Sequence, residues 1–67
     1  MRIGIIGATG WLGSALGKRL LELGLVAAED LVLLNRSGPR AEYHGHDRVI
    51  WAKDASDLAR QVDVVVL

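Results

Sequence analysis

Two short stretches hold the residues best suited to chemistry. Gly7-Ala8-Thr9-Gly10-Trp11-Leu12-Gly13 sets three glycines at a spacing of three, after an apolar run and before leucines at helical spacing. Asn35-Arg36-Ser37 follows a second apolar run. A strand that enters a glycine turn and opens a helix brings free backbone N–H groups and the positive end of the helix dipole to one place. That arrangement suits an anion, and in this strand–turn–helix context it suits the pyrophosphate of a dinucleotide. Gly7 then permits the tight turn, Gly10 keeps a side chain off the pyrophosphate, and Gly13 lets the helix seat closely. Thr9 offers a hydroxyl donor, and Trp11 and Leu12 offer backbone N–H groups. The plainer alternative is that the glycines only make a turn and a packing contact.

The second stretch bears on which nucleotide. An NAD site usually ends its second strand with Asp or Glu, which binds the adenosine ribose hydroxyls. Here Asn35, Arg36 and Ser37 occupy that point and no acid is present. Arg36 can stack on adenine and pair with a 2′-phosphate, and Ser37 can donate to it, so NADP is expected rather than NAD. The plainer reading of Arg36 is a solvated loop arginine. Arg40 offers a second phosphate partner, but a surface position is the better expectation for it.

These residues need elements to hold them. Residues 1–7 read as a buried parallel strand with apolar residues on both faces. Leu12, Leu16, Leu20 and Leu23 recur at helical spacing, and Gly24 stands where a left-handed cap would end that helix. Residues 31–35 read as strand two, and 36–47 as a loop with at most one helical turn, where related architectures place a full helix. Residues 48–51 form a brief third strand. Asp54 caps a second helix anchored by Leu58, with help from Ala55 and Ala59, and residues 62–67 form strand four. Right-handed crossovers then give an α/β fold: a Rossmann-like, doubly wound parallel sheet in order 3-2-1-4, truncated after the fourth strand, with one helix on each face. One helix per face leaves apolar sheet uncovered, and strand four is an open apolar edge. The 67 residues are therefore expected to be part of something larger, with residues 1–67 a partial NADP-binding domain.

Composition excludes several classes. The chain is 51% hydrophobic and 24% charged, which is globular rather than disordered. It has no cysteine, hence neither a disulfide scaffold nor a zinc ribbon. Net charge is zero, so no basic surface points to nucleic acid or anionic lipid. No apolar run of about 20 residues could span a membrane and no signal pattern opens the chain, so a cytoplasmic protein is expected. Two histidines, His44 and His46, lack a third ligand and read as solvated rather than metal-binding. Asp54 and Asp57 read as helix-capping residues, Asp63 as a strand-end residue, Lys53 as surface, and Trp51 as core or sheet edge. No nucleophile–base set is legible, so no catalytic residue is assigned.

The residues 3–7, 13–16, 29–31 and 35–37, with Asp54 before the apolar run 62–67, resemble the amino-terminal half of the pyrroline-5-carboxylate reductase family. The resemblance runs along the whole chain, and Asn35-Arg36-Ser37 is its most specific piece. It implies NADPH as cofactor, with that stretch accepting the 2′-phosphate, reduction of a cyclic imine to proline, and a homo-oligomer formed through a carboxy-terminal substrate and dimerisation domain. The glycine loop departs from this pattern by one extra residue and looks like that of extended short-chain dehydrogenases and sugar-nucleotide epimerases. Those enzymes need a Tyr-x-x-x-Lys pair, and Tyr43 is followed four residues on by Asp47. Deazaflavin-dependent NADP oxidoreductases have a similar nucleotide half, and a non-catalytic nucleotide-binding module is a further alternative.

Overall fold

A computed structural model describes all residues, Met1–Leu67. In chain order the elements are β1 (Ile3–Ile6), α1 (Trp11–Glu22), a 3₁₀ turn (Ala28–Asp30), β2 (Leu31–Leu34), β3 (Ile50–Trp51), α2 (Ala55–Gln61) and β4 (Val64–Val66). The sheet is wholly parallel in the order β3-β2-β1-β4. Ile3 pairs with Leu31 on one side and Val64 on the other. No helix is long and apolar enough to cross a membrane.

The period-two alternation of the strands sorts the core into two halves. Ile5, Leu31 and Leu33 face α1, where Leu16, Leu20 and Leu21 meet them. Val32 faces the other way and packs with Ala52 and the fully buried Leu58 of α2. The two helices therefore cover opposite faces, as the crossover rule predicts. Close approach on the α2 side depends on Gly4, since a Cβ there would lie 2.6 Å from a Leu58 methyl.

The strands are shorter than the apolar runs that mark them. β1 stops at Ile6 because Gly7 turns into the left-handed region at φ +76°. β2 stops at Leu34 because the Asn35 side chain organises a turn, accepting the Ser37 N–H at 3.2 Å. β4 keeps Val64 and Val65 at 44% and 42% exposure on the sheet edge. Asp63 closes the other end of the β1–β4 pair: its carboxylate accepts the Arg2 N–H at 2.9 Å, and its own N–H donates to the Arg2 carbonyl at 2.9 Å.

The packed face of α1 keeps Leu16 and Leu20 of the leucine series read from the sequence but not its two ends. Leu12 is 76% exposed and Leu23 is 57% exposed. Gly13 and Gly17 lie nearer the centre of the contact, and Leu12 stands about 100° round the helix from Gly13. Gly24 behaves as expected: at φ +67° it donates to Leu21, while Leu25 donates back to Leu20, the paired bonds of a Schellman end. Residues 36–47 contain no helical turn. Instead Tyr43 and His46 exchange two backbone hydrogen bonds around His44 (φ +50°) and Gly45 (φ +84°), the positive-φ pair of a tight hairpin turn. Tyr43 is buried on the α1 side of the sheet, with Val49 beside it in the same cluster. One aromatic ring thus joins the core on the α1 side from a segment that forms no helix.

Candidate functional site

An open cleft of about 530 Å³ lies beyond the carboxyl ends of β1 and β2. Ile6, Gly7, Thr9 and Gly10 form one wall; Leu34, Asn35 and Arg36 form the other. Clefts at this end of a parallel sheet are where ligands of open α/β folds bind. The walls are joined at the base, where the Gly7 and Ala8 N–H groups both donate to the Leu34 carbonyl, at 2.9 and 3.1 Å.

The glycine turn is built by backbone contacts. Gly10 donates to the Gly7 carbonyl at 2.9 Å, and Ser14 donates to the Gly10 carbonyl at 2.8 Å, which starts α1. A Cβ on Gly13 would overlap the Gly7 carbonyl oxygen and lie 2.9 Å from its carbon. Gly13 therefore seats the helix, as its spacing predicts. The N–H groups of Thr9, Trp11, Leu12 and Gly13 have no partner within the chain. Gly10 caps α1 without a side-chain bond, and no acid stands in the first turn to neutralise the dipole. Four free donors at a positive helix end form a seat for an anion. Of these four residues only Thr9 lines the cleft; Gly13 lies outside the lining, as do Trp11 and Leu12, whose side chains project outward at 90% and 76% exposure.

The second wall is organised by Asn35. Its Oδ1 accepts the Thr9 hydroxyl at 3.0 Å, the Ser37 hydroxyl at 3.0 Å and the Ser37 N–H at 3.2 Å. Its Nδ2 donates to the Gly38 carbonyl at 2.9 Å. Asn35 thus ties one wall to the other and fixes the loop, and the Thr9 hydroxyl proton is engaged there rather than aimed at a ligand. Ser37 lies beside the cleft rather than in its lining, and its oxygen accepts from Arg40 Nη2 at 3.4 Å. Arg40 is exposed, as expected, but it leans over the Asn35–Ser37 turn. Arg36 lines the cleft, exposed and without an ion pair: the chain's salt bridges join Arg2 to Asp30 and Arg60 to Asp57. No carboxylate lines the cleft.

Among the remaining sequence candidates, Asp54 and Asp57 cap α2. The Asp54 carboxylate accepts the Asp57 N–H at 2.8 Å, and the Asp57 carboxylate accepts the Lys53 N–H at 2.9 Å. That Lys53 N–H, with Arg60 nearby, holds the Asp57 carboxyl below its ordinary pKa. Lys53 is exposed and Trp51 is half-buried, with its ring edge-on to Tyr43 at 6.0 Å. His44 is exposed but not merely solvated: its Nε2 lies 3.0 Å from the Ser14 carbonyl and 3.2 Å from the Ser14 hydroxyl. A carbonyl only accepts, so that ring nitrogen carries the proton.

Tyr43, Gly17 and Gly4 escaped the sequence reading as architectural residues. The Tyr43 hydroxyl donates to the Ala8 carbonyl at 2.8 Å and reaches the Gly13 carbonyl at 3.2 Å. A Cβ on Gly17 would overlap that hydroxyl and lie 2.7 Å from the ring. A glycine inside a leucine-rich helix costs about 1 kcal/mol relative to alanine, and that penalty was the available signal for a packing contact. No family model, curated protein or solved structure matches the chain.

Proposed function

We propose that this chain is the NADP(H)-binding portion of an NADPH-dependent reductase similar to pyrroline-5-carboxylate reductase, built on a Rossmann-like fold. One observation carries the reading: an unpaired arginine and no carboxylate line a cleft beside the start of α1, where four N–H donors are free and one of them, that of Thr9, belongs to a lining residue. The residues fit a dinucleotide phosphate. Thr9, Trp11, Leu12 and Gly13 would donate backbone N–H groups to the pyrophosphate; Gly10 leaves that wall free of a side chain. Arg36 would pair with the 2′-phosphate, with Ser37 beside it and Asn35 holding the turn. The nicotinamide supplies the hydride; the protein supplies binding and orientation. The substrate, a small cyclic imine, and the contacts of a homo-oligomer belong to the complete cytoplasmic enzyme.

A second reading, the extended short-chain dehydrogenase or epimerase type, is favoured by the seven-residue loop Gly7–Gly13. It requires a catalytic tyrosine from elsewhere, because the Tyr43 hydroxyl is buried against the Ala8 carbonyl.

Titration with NADPH and NADH tests the nucleotide. Arg36→Ala should weaken NADPH by about 1.5–3 kcal/mol, the scale of a hydrogen bond to a charged group, and leave NADH nearly unchanged. Equal losses for both would refute the 2′-phosphate role. NADPH oxidation by the complete protein with pyrroline-5-carboxylate tests the substrate, and no turnover removes it.

A further inference from the structure

The Tyr43–His46 hairpin touches the glycine turn from behind, on the side away from the cleft. Tyr43 sends its hydroxyl to the carbonyls of Ala8 and Gly13, the residues on either side of the Gly10 turn. Its ring is 4% exposed and fits the notch at Gly17. The next residue, His44, bonds the Ser14 carbonyl one helical position further on. Ala8, Gly13 and Ser14 are thus held by one hairpin, and every bond uses a carbonyl or side chain and leaves the N–H donors of the turn free.

We propose that Tyr43 is a positioning residue for the phosphate seat: through its hydroxyl it fixes the spacing of Ala8 and Gly13, so that the N–H groups of Thr9, Trp11, Leu12 and Gly13 are held in place before a ligand arrives. This rests on the nucleotide reading and adds to it a part from outside the cleft. Burial raises the Tyr43 pKa, so the hydroxyl keeps its proton and its donor role at neutral pH. Donors held in place do not have to be ordered by the ligand, and that preorganisation raises affinity. Because the hydroxyl bonds the Ala8 and Gly13 carbonyls and nothing in the Asn35–Ser37 wall, its loss acts on the pyrophosphate end. NADPH and NADH should therefore suffer alike.

The test compares Tyr43→Phe with Val49→Ala, which loosens the same core cluster through a side chain that makes no hydrogen bond to the turn. Two quantities are read on the full chain: dissociation constants for NADPH and NADH, and amide exchange of Gly10 and Ser14 in the ligand-free protein. Tyr43→Phe should raise both dissociation constants about fivefold, the factor of one neutral hydrogen bond, with their ratio unchanged. It should also speed exchange at Gly10 and Ser14 relative to Leu33. Val49→Ala should lower the melting temperature and leave both constants as they are below the transition. Parent-like affinity and exchange in Tyr43→Phe would overturn the proposal, as would equal losses in Val49→Ala. Faster Gly10 exchange in Tyr43→Phe, with a parent chain that binds neither nucleotide, would overturn the nucleotide reading and leave only a structural brace.

Discussion

Replacing Gly13 by alanine separates the two jobs of the glycine turn. An alanine inside a helix ordinarily gains up to about 1 kcal/mol over glycine. At Gly13 the new Cβ overlaps the Gly7 carbonyl oxygen, lies 2.9 Å from its carbon and 3.3 Å from the Ala8 Cα. All three atoms are backbone, so no side chain can swing away. Carbon atoms pack at about 3.5–4.0 Å and the oxygen overlap is deeper than the carbon one, so the first turn of α1 must retreat by about 1 Å or more. Overpacking costs about 1–3 kcal/mol, and overlap with a backbone oxygen puts this site in the upper part of that range, about 2–3 kcal/mol, so that after the propensity gain a net loss of about 1–2 kcal/mol remains. A chain of this length holds roughly 3–10 kcal/mol in total, so the melting temperature should fall by about 5–15 °C. Gly10→Ala is the contrast. Its Cβ meets only the Gly7 carbonyl oxygen, at 3.2 Å, and its φ of −72° suits alanine. It should cost less than about 1 kcal/mol of stability yet weaken NADPH by adding a methyl group to the cleft wall. Thermal unfolding by circular dichroism and a nucleotide titration read both variants. A Gly13→Ala protein as stable as the parent would refute the close-approach argument; parent-like NADPH binding by Gly10→Ala would refute the phosphate seat.

Other outcomes follow from the same geometry. Leu58→Ala empties a fully buried site against Gly4 and Val32 and should cost about 3–5 kcal/mol, read as a lower urea midpoint. Asp57 has a depressed pKa through its bond from the Lys53 N–H, so its contribution is present above the ordinary carboxylate value and lost as pH falls through the folded-state value. Asp57→Asn should flatten the acid limb of a stability–pH curve, and an unchanged limb would count against that bond. Tyr43 has a raised pKa, so its contribution is complete below the ordinary phenol value of 10.0 and is lost as pH rises from there towards the folded-state value. Alkaline unfolding of the parent, absent from Tyr43→Phe, is the expected signature.

The local elements were legible because each depends on neighbours in sequence. Gly7 and Gly24 take positive φ where a turn and a helix end demand it, and Asp54 caps α2 through an N–H three residues away. Four apolar runs and their spacing were enough to imply a parallel sheet in the order 3-2-1-4, since crossover handedness leaves few alternatives. Contacts between distant segments were not legible. Asn35 reaches Thr9 across the cleft, Tyr43 reaches Ala8 and Gly13 across the sheet face, and Leu58 meets Gly4. Nothing in the spacing of residues 36–47 announces that one tyrosine will join the core on the α1 side, because that depends on the notch at Gly17. The α1 stripe shows the same division. Periodicity identified a helix, but which leucines pack against the sheet was decided by two glycines that let the chain approach its own backbone and Tyr43, a matter of excluded volume that becomes visible only in three dimensions.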